Sequence, residues 1–342
     1  MIYPWQQKAW NQIASLSNRI PNAWLMIGRK GIGKLEFAEH LAHALLCENS
    51  KETLQVCGKC PSCLLTRSGN HPDFYKLIPT PTKVWNYHNT NNSEEALEEN
   101  KKSGDDKKNL SIKIEDIRYI TDQLHLTSMR GIRKVVMINP AEMMTLGAAN
   151  ALLKFLEEPS ESVIFILMTH NRARVLPTIK SRCQQFILPT PTYEESITYL
   201  NQIEIKNPEK MLAFYGVPLF EHYDEYDELI DNLVNVLAYP KVIDILDFAA
   251  KFDSKKHTLA LFLEWFEKWL IDLTSVSMGH SAAFYPQQQE NFKRLSQRLK
   301  TTQPLFNQLY DKVCKIVPYG RHTLSVKLAI ECMLIDYLKI MK

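Results

Sequence analysis

The chain has 342 residues, 45% of them hydrophobic, with 41 Lys plus Arg against 38 Asp plus Glu and 7 Cys. At roughly 100 to 200 residues per domain, this length predicts two or three domains with ample core. A net charge of +3 excludes a polybasic nucleic-acid coat and an acidic disordered tail, so any nucleic-acid contact has to be local. The start, Met1 to Gln7, lacks a basic region followed by an apolar stretch, and no later window approaches eighteen uninterrupted apolar residues. The expectation is a soluble, unexported chain with reduced cysteines, in which a tight cysteine cluster holds a metal rather than a disulfide framework.

Trp5 to Ile20 carries apolar residues at helical spacing, and Ala23-Trp24-Leu25-Met26-Ile27 reads as a buried strand ending at Gly28. After the glycines, Leu35, Phe37, Ala38, Leu41, Ala42, Leu45 and Leu46 form the buried stripe of a helix. Strand, glycine turn and helix in that order open a nucleotide-binding α/β unit. From Thr80 to Leu110 the chain turns to Asn, Glu, Lys, Asp and Ser, too polar to offset its ordering entropy, and a flexible insertion is expected there. Pattern resumes with a helix from Ile112 to about Met129. A strand over Lys134–Ile138, a helix from about Gly147 to Glu157 and a strand over Val163–Met168 follow, and another apolar run covers Gln185 to Leu188. Helices between apolar strands imply right-handed crossovers and a mostly parallel sheet. Beyond Pro189-Thr190-Pro191 the pattern is all-helical, with stripes at Leu229–Leu237, Leu259–Leu273, Asn291–Leu299, Leu305–Ile316 and Leu324–Ile340.

Gly28-Arg29-Lys30-Gly31-Ile32-Gly33-Lys34 matches a phosphate-binding loop up to its lysine. Such a loop turns backbone N–H groups toward phosphate oxygens, and Lys34 would reach the outer phosphates. The next residue, Leu35, has no oxygen for Mg²⁺ where Ser or Thr is needed. A glycine turn between strand and helix also occurs without any ligand. The acidic pair expected after the Lys134–Ile138 strand is replaced by Asn139-Pro140; Asn carries no charge to balance Mg²⁺ and Pro cannot act as a base. Glu142, three residues past the strand, reads as out of useful reach. Two separate losses argue against hydrolysis by this chain.

Cys47 and Cys57-Gly58-Lys59-Cys60-Pro61-Ser62-Cys63 suit a tetrahedral Zn²⁺ site, with Cys47 supplied from the end of the preceding helix. The alternatives are a redox Cys-x-x-Cys pair, unpaired core thiols, or a zinc ribbon binding nucleic acid by itself. The last expects basic and aromatic residues among the ligands, where only Lys59 stands. His71 beside Pro72 reads as a turn residue, and Cys183, Cys314 and Cys332 as buried or semi-buried thiols. Ser181-Arg182-Cys183 precedes the last strand run. By composition alone Arg182 is an ordinary surface ion-pair residue.

Together the glycine loop, the four cysteines, the run Leu146-Gly147-Ala148-Ala149-Asn150-Ala151-Leu152-Leu153-Lys154-Phe155-Leu156-Glu157-Glu158-Pro159 and Ser181-Arg182-Cys183 resemble the AAA+ clamp-loader family, and within it the delta-prime subunits of bacterial DNA polymerase III. The resemblance covers about residues 1–189. It implies an α/β AAA+ core over 1–188, with helices on both faces of a parallel sheet and a zinc module near 47–63, then a helical lid over 189–222 and a helical collar over 223–342. It further implies a structural zinc on Cys47, Cys57, Cys60 and Cys63, and a degenerate loop (Gly28, Gly31, Gly33, Lys34) without productive ATP/Mg²⁺ binding. Arg182, with Ser181 and Cys183 as its motif, would act as an arginine finger on a neighbour's ATP. The implied partners are gamma/tau ATPase subunits and a delta subunit in a hetero-pentameric ring, with the sliding clamp and primer-template DNA reached indirectly in the cytoplasm at the nucleoid. No membrane is involved. The rival is an ATP-hydrolysing motor-type subunit.

Overall fold

A computed structural model describes residues 2–17, 19–50, 54–79, 111–124, 128, 129, 133–160, 162–220, 223–255, 257–316 and 325–342. The polar insertion expected over 80–110 lies outside these residues. The chain divides into two compact units, Met1–Glu195 and Ser196–Lys342.

The first unit is built on a parallel five-stranded sheet, β1 (Ala23–Ile27), β2 (Phe74–Leu77), β3 (Lys134–Ile138), β4 (Val163–Thr169) and β5 (Gln184–Ile187), in the order β2-β3-β4-β1-β5. Strand β2 has no counterpart in the sequence reading, because Lys76 interrupts its apolar run. Folded, Lys76 is buried and pairs with Glu39 at 2.5 Å, so the strand tolerates the charge. Side chains alternate across the pleat. On one face Leu25, Val136, Phe165 and Leu167 pack with helices α4 (Ile114–Leu124), α5 (Leu146–Glu157) and α6 (Pro177–Arg182). On the other, Trp24 meets Phe186, which meets Phe37 of α2 (Lys34–Leu46), which in turn meets Trp10 of α1 (Gln7–Ala14). Helices thus cover both faces, which is why β3 and β4 are buried along their whole length. Helix α3 (Pro61–Arg67) follows α2, and the helix expected over 5–20 is a 3₁₀ turn, Pro4–Gln6, continued by α1.

The boundary between the units falls inside α7 (Tyr193–Gln202). The second unit is helical throughout its described residues: α8 (Pro208–Tyr215), α9 (Tyr223–Ala238), α10 (Val242–Ser254), α11 (Leu259–Ser277), α12 (Gln289–Ile316) and α13 (Val326–Met341). Leu200, Met211 and Leu212 form a small core of their own, while Leu233, Phe262, Trp265, Trp269, Phe292 and Tyr337 anchor a larger one. The two stripes expected on either side of residue 300 are one helix, with Pro304 inside it. Proline forfeits one backbone bond, but α12 packs along both α11 and α13, and burial on each side of Pro304 carries the helix through. The helical period also corrects the expectation for two thiols: Cys314 and Cys332 are exposed, on the outer faces of α12 and α13, whereas Cys183 is buried.

Candidate functional site

Three constellations named by the sequence lie in the first unit. Helix α2 ends at Cys47, and the backbone turns through Gly58 (φ +69°) to reach Cys60, the N-cap of α3, whose sulfur accepts the Cys63 N–H. Pro61 at the first helical position and Glu48, which accepts from the Ser62 N–H and hydroxyl at 3.2 and 2.9 Å, complete that helix start. The turn brings the four Sγ atoms within 4.8 Å of one another, with Cys47–Cys60 at 4.0 Å and Cys57–Cys63 at 3.8 Å. Tetrahedral Zn–S bonds of about 2.3 Å place sulfurs about 3.8 Å apart, so the donor set fits zinc in chemistry and spacing. Backbone N–H groups of Lys59 and Cys60 pull the Cys57 thiol down to about 6, while burial pushes Cys63 up. His71 stands outside the sulfur group; its Nδ1 accepts the Asp73 N–H at 3.1 Å.

The glycine loop between β1 and α2 is held from behind by the chain start. Trp5 Nε1 donates to the Ile32 carbonyl at 3.0 Å, and Gln6 Nε2 donates to the Ile32 and Gly33 carbonyls, both at 2.8 Å. Gly33 adopts φ +85°, and a Cβ there would sit 2.5 Å from the Tyr3 ring, so only glycine fits. Lys34 is buried, and its ammonium donates to the carbonyl of Arg29 within the loop. Burial lowers its pKa to about 8, with Glu142 acting in the opposite direction. The 3₁₀ turn Ala141–Met143 carries Glu142, whose Oε1 accepts the His170 N–H at 3.0 Å and whose buried Oε2 has no hydrogen-bond partner among the described residues. Burial and the Lys34 charge hold His170 below its usual range. Leu35 and the Asn139-Pro140 pair carry no carboxylate or hydroxyl.

Arg182 closes α6 at the edge of the unit. Its Nη1 donates to the Thr178 carbonyl at 3.0 Å and lies 3.3 Å from Ser181 Oγ, and its Nη2 meets Glu157 Oε1 at 2.6 Å. Cys183, behind it, is buried and its thiol is pushed up to about 12, which leaves it unreactive. Glu157 went unremarked in the sequence beyond its place in a motif, because nothing local links it to Arg182.

A profile described as "DNA polymerase III, delta subunit" matches residues 5–192. The chain is 32% identical over 291 residues to the DNA polymerase III subunit delta' of Pseudomonas aeruginosa, covering 82% of this chain and 79% of that protein. This chain belongs to the family of DNA polymerase III delta' subunits. The Yersinia pestis delta' subunit is 32% identical over 296 residues, covering 81% of this chain and 77% of that protein. A DNA polymerase III subunit gamma of Buchnera aphidicola is 30% identical over 185 residues, 54% of this chain and 43% of that protein. The chain is thus similar to both delta' and gamma chains. Among the described residues, no helix is long and apolar enough to cross a membrane.

Proposed function

We propose that this chain is the delta' subunit of a bacterial clamp loader, hydrolyses no ATP itself, and completes the ATP site of a neighbouring gamma-type subunit with Arg182. The observation that carries this reading is a contrast within one unit: the nucleotide loop has lost its metal-binding positions at Leu35 and Asn139-Pro140, while Ser181-Arg182-Cys183 is retained at an exposed helix end. In this reading residues 189–222 serve as the lid, 223–342 as the collar of a five-membered ring, and the clamp and primed DNA are reached through that ring in the cytoplasm. Arg182 presents a planar set of donors suited to spreading phosphoryl charge, which lysine cannot reproduce. The four-cysteine module would hold Zn²⁺ as a structural ion that fixes the α2–α3 turn, and it takes no part in phosphoryl chemistry.

The test is ATP turnover by the isolated chain, and by the loader reconstituted with wild-type or Arg182→Ala chain. The isolated chain should show no turnover, and Arg182→Ala should lower DNA-stimulated turnover by the complex while leaving zinc content and assembly intact. Sustained turnover by the isolated chain that is lost in Lys34→Ala, or full loading activity with Arg182→Ala present in the complex, would refute the reading.

A further inference from the structure

Glu157 sits where an acidic residue is least welcome. It is the last residue of α5, at the negative end of that helix, where a carboxylate opposes the aligned carbonyls. Local preference therefore does not account for it, and its ion-pair partner among the described residues lies on another helix: Oε1 is 2.6 Å from Arg182 Nη2. Arg182 also closes its own helix, and its Nη1 donates to the Thr178 carbonyl and approaches Ser181 Oγ. The Thr178 carbonyl and Ser181 Oγ thus hold Nη1 and the Glu157 carboxylate lies against Nη2, while the Nε–H is without a partner among the described residues. The Nε–H and the adjacent Nη2–H of a guanidinium form the fork that grips one anionic group in bidentate fashion.

The pair is too exposed to hold the fold together, since side-chain exposures are 33% for Arg182 and 50% for Glu157. Its effect is on geometry. A free arginine samples many rotamers, and ordering it against a phosphate has to be met at the moment of binding; a guanidinium already fixed by Glu157 and Thr178 enters with that ordering done.

We propose that Glu157 is a positioning residue for Arg182: it fixes the guanidinium so that its Nε edge faces a phosphoryl group on the adjacent subunit. This rests on the arginine-finger reading above. Glu157 does not touch the neighbour's nucleotide; it acts through Arg182.

The experiment uses reconstituted loader carrying wild-type, Arg182→Ala, Glu157→Ala, Glu157→Gln or the Arg182→Ala/Glu157→Ala double variant, with subunit stoichiometry, zinc content and melting temperature measured for each. DNA-stimulated turnover is split into kcat and the KM for ATP. Glu157→Ala should lower kcat by roughly three- to tenfold, the scale of ordering one long side chain, with KM little changed. Glu157→Gln, which keeps an acceptor of the same reach, should recover part of that loss. The double variant should be no slower than Arg182→Ala, because a residue acting through another has no effect once that other is gone. Full kcat with Glu157→Ala beside an impaired Arg182→Ala would overturn the inference and leave the finger standing. Multiplicative losses in the double variant would also overturn it, by giving Glu157 an independent role. Full activity with Arg182→Ala would instead overturn the finger itself, and the inference with it.

Discussion

Replacing Cys60 by Ser separates the metal from the fold around it. Cys60 is both a sulfur of the cluster and the N-cap of α3, where its Sγ accepts the Cys63 N–H. Serine is among the best N-caps, so Cys60→Ser keeps the helix start while removing one sulfur donor. Structural zinc in small peptides is worth about 10–16 kcal/mol, so an equal share per thiolate is about 3 kcal/mol, or roughly a hundredfold in affinity. Wild-type protein purified without chelator should carry about one zinc per chain, with four sulfurs at about 2.3 Å in X-ray absorption. Titration with a competing chelator should show Cys60→Ser releasing zinc at roughly a hundredfold lower chelator activity, whereas Cys314→Ser, at an exposed cysteine outside the cluster, should match the wild type. Zinc affinity unchanged in Cys60→Ser, or an absorption spectrum requiring nitrogen or oxygen in the shell, would show that the sulfur spacing has been misread.

Lys34 makes stability depend on pH. Its folded pKa, about 8, lies below the unfolded value of 10.5, so between these values the unfolded chain binds the extra proton and stability rises with pH. Lys34→Met should therefore stabilise the chain at pH 7, by up to about 3 kcal/mol in urea unfolding, and the advantage should vanish by about pH 11; a constant difference across that window would show Lys34 is not desolvated. In the second unit, buried Asp272 accepts the N–H groups of Ala283, Phe284 and Tyr285 at 2.8, 2.9 and 2.7 Å. Asp272→Ala strands three donors and should cost about 3–5 kcal/mol of unfolding free energy. A loss below about 1 kcal/mol would mean water replaces the carboxylate at that loop.

Much of the sheet unit is legible in the chain because its strands are short apolar runs bounded by breakers. β1, β3 and β4 emerge with nearly their observed limits, and the glycine loop falls between β1 and α2 as its spacing requires. The four cysteines are likewise readable, since a Cys-x-x-Cys turn is a local object. Where local pattern and packing disagree, the sequence misleads. β2 is hidden by a lysine whose charge is met by Glu39 on α2, and α12 is split on paper by Pro304, which neighbouring helices override. Cys314 and Cys332 sit in apolar stretches, yet helical phase turns them outward.

The residue types themselves determine what chemistry the glycine loop and the end of β3 lack: Leu35 cannot ligate a metal, and Asn139-Pro140 supplies no acid or base, whatever the fold around them. They also determine that zinc has four sulfur donors available. Only the tertiary structure decides which charges meet. Glu142 accepts the His170 N–H just past β4, and Glu157 meets Arg182, because α5 and α6 pack on one face of the sheet and bring two helix ends together. Backbone preference and hydrophobic period act over a few residues and so can be read along the chain. The meeting of two side chains from distant segments depends on strand order and helix placement, to which every element of the sheet contributes at once.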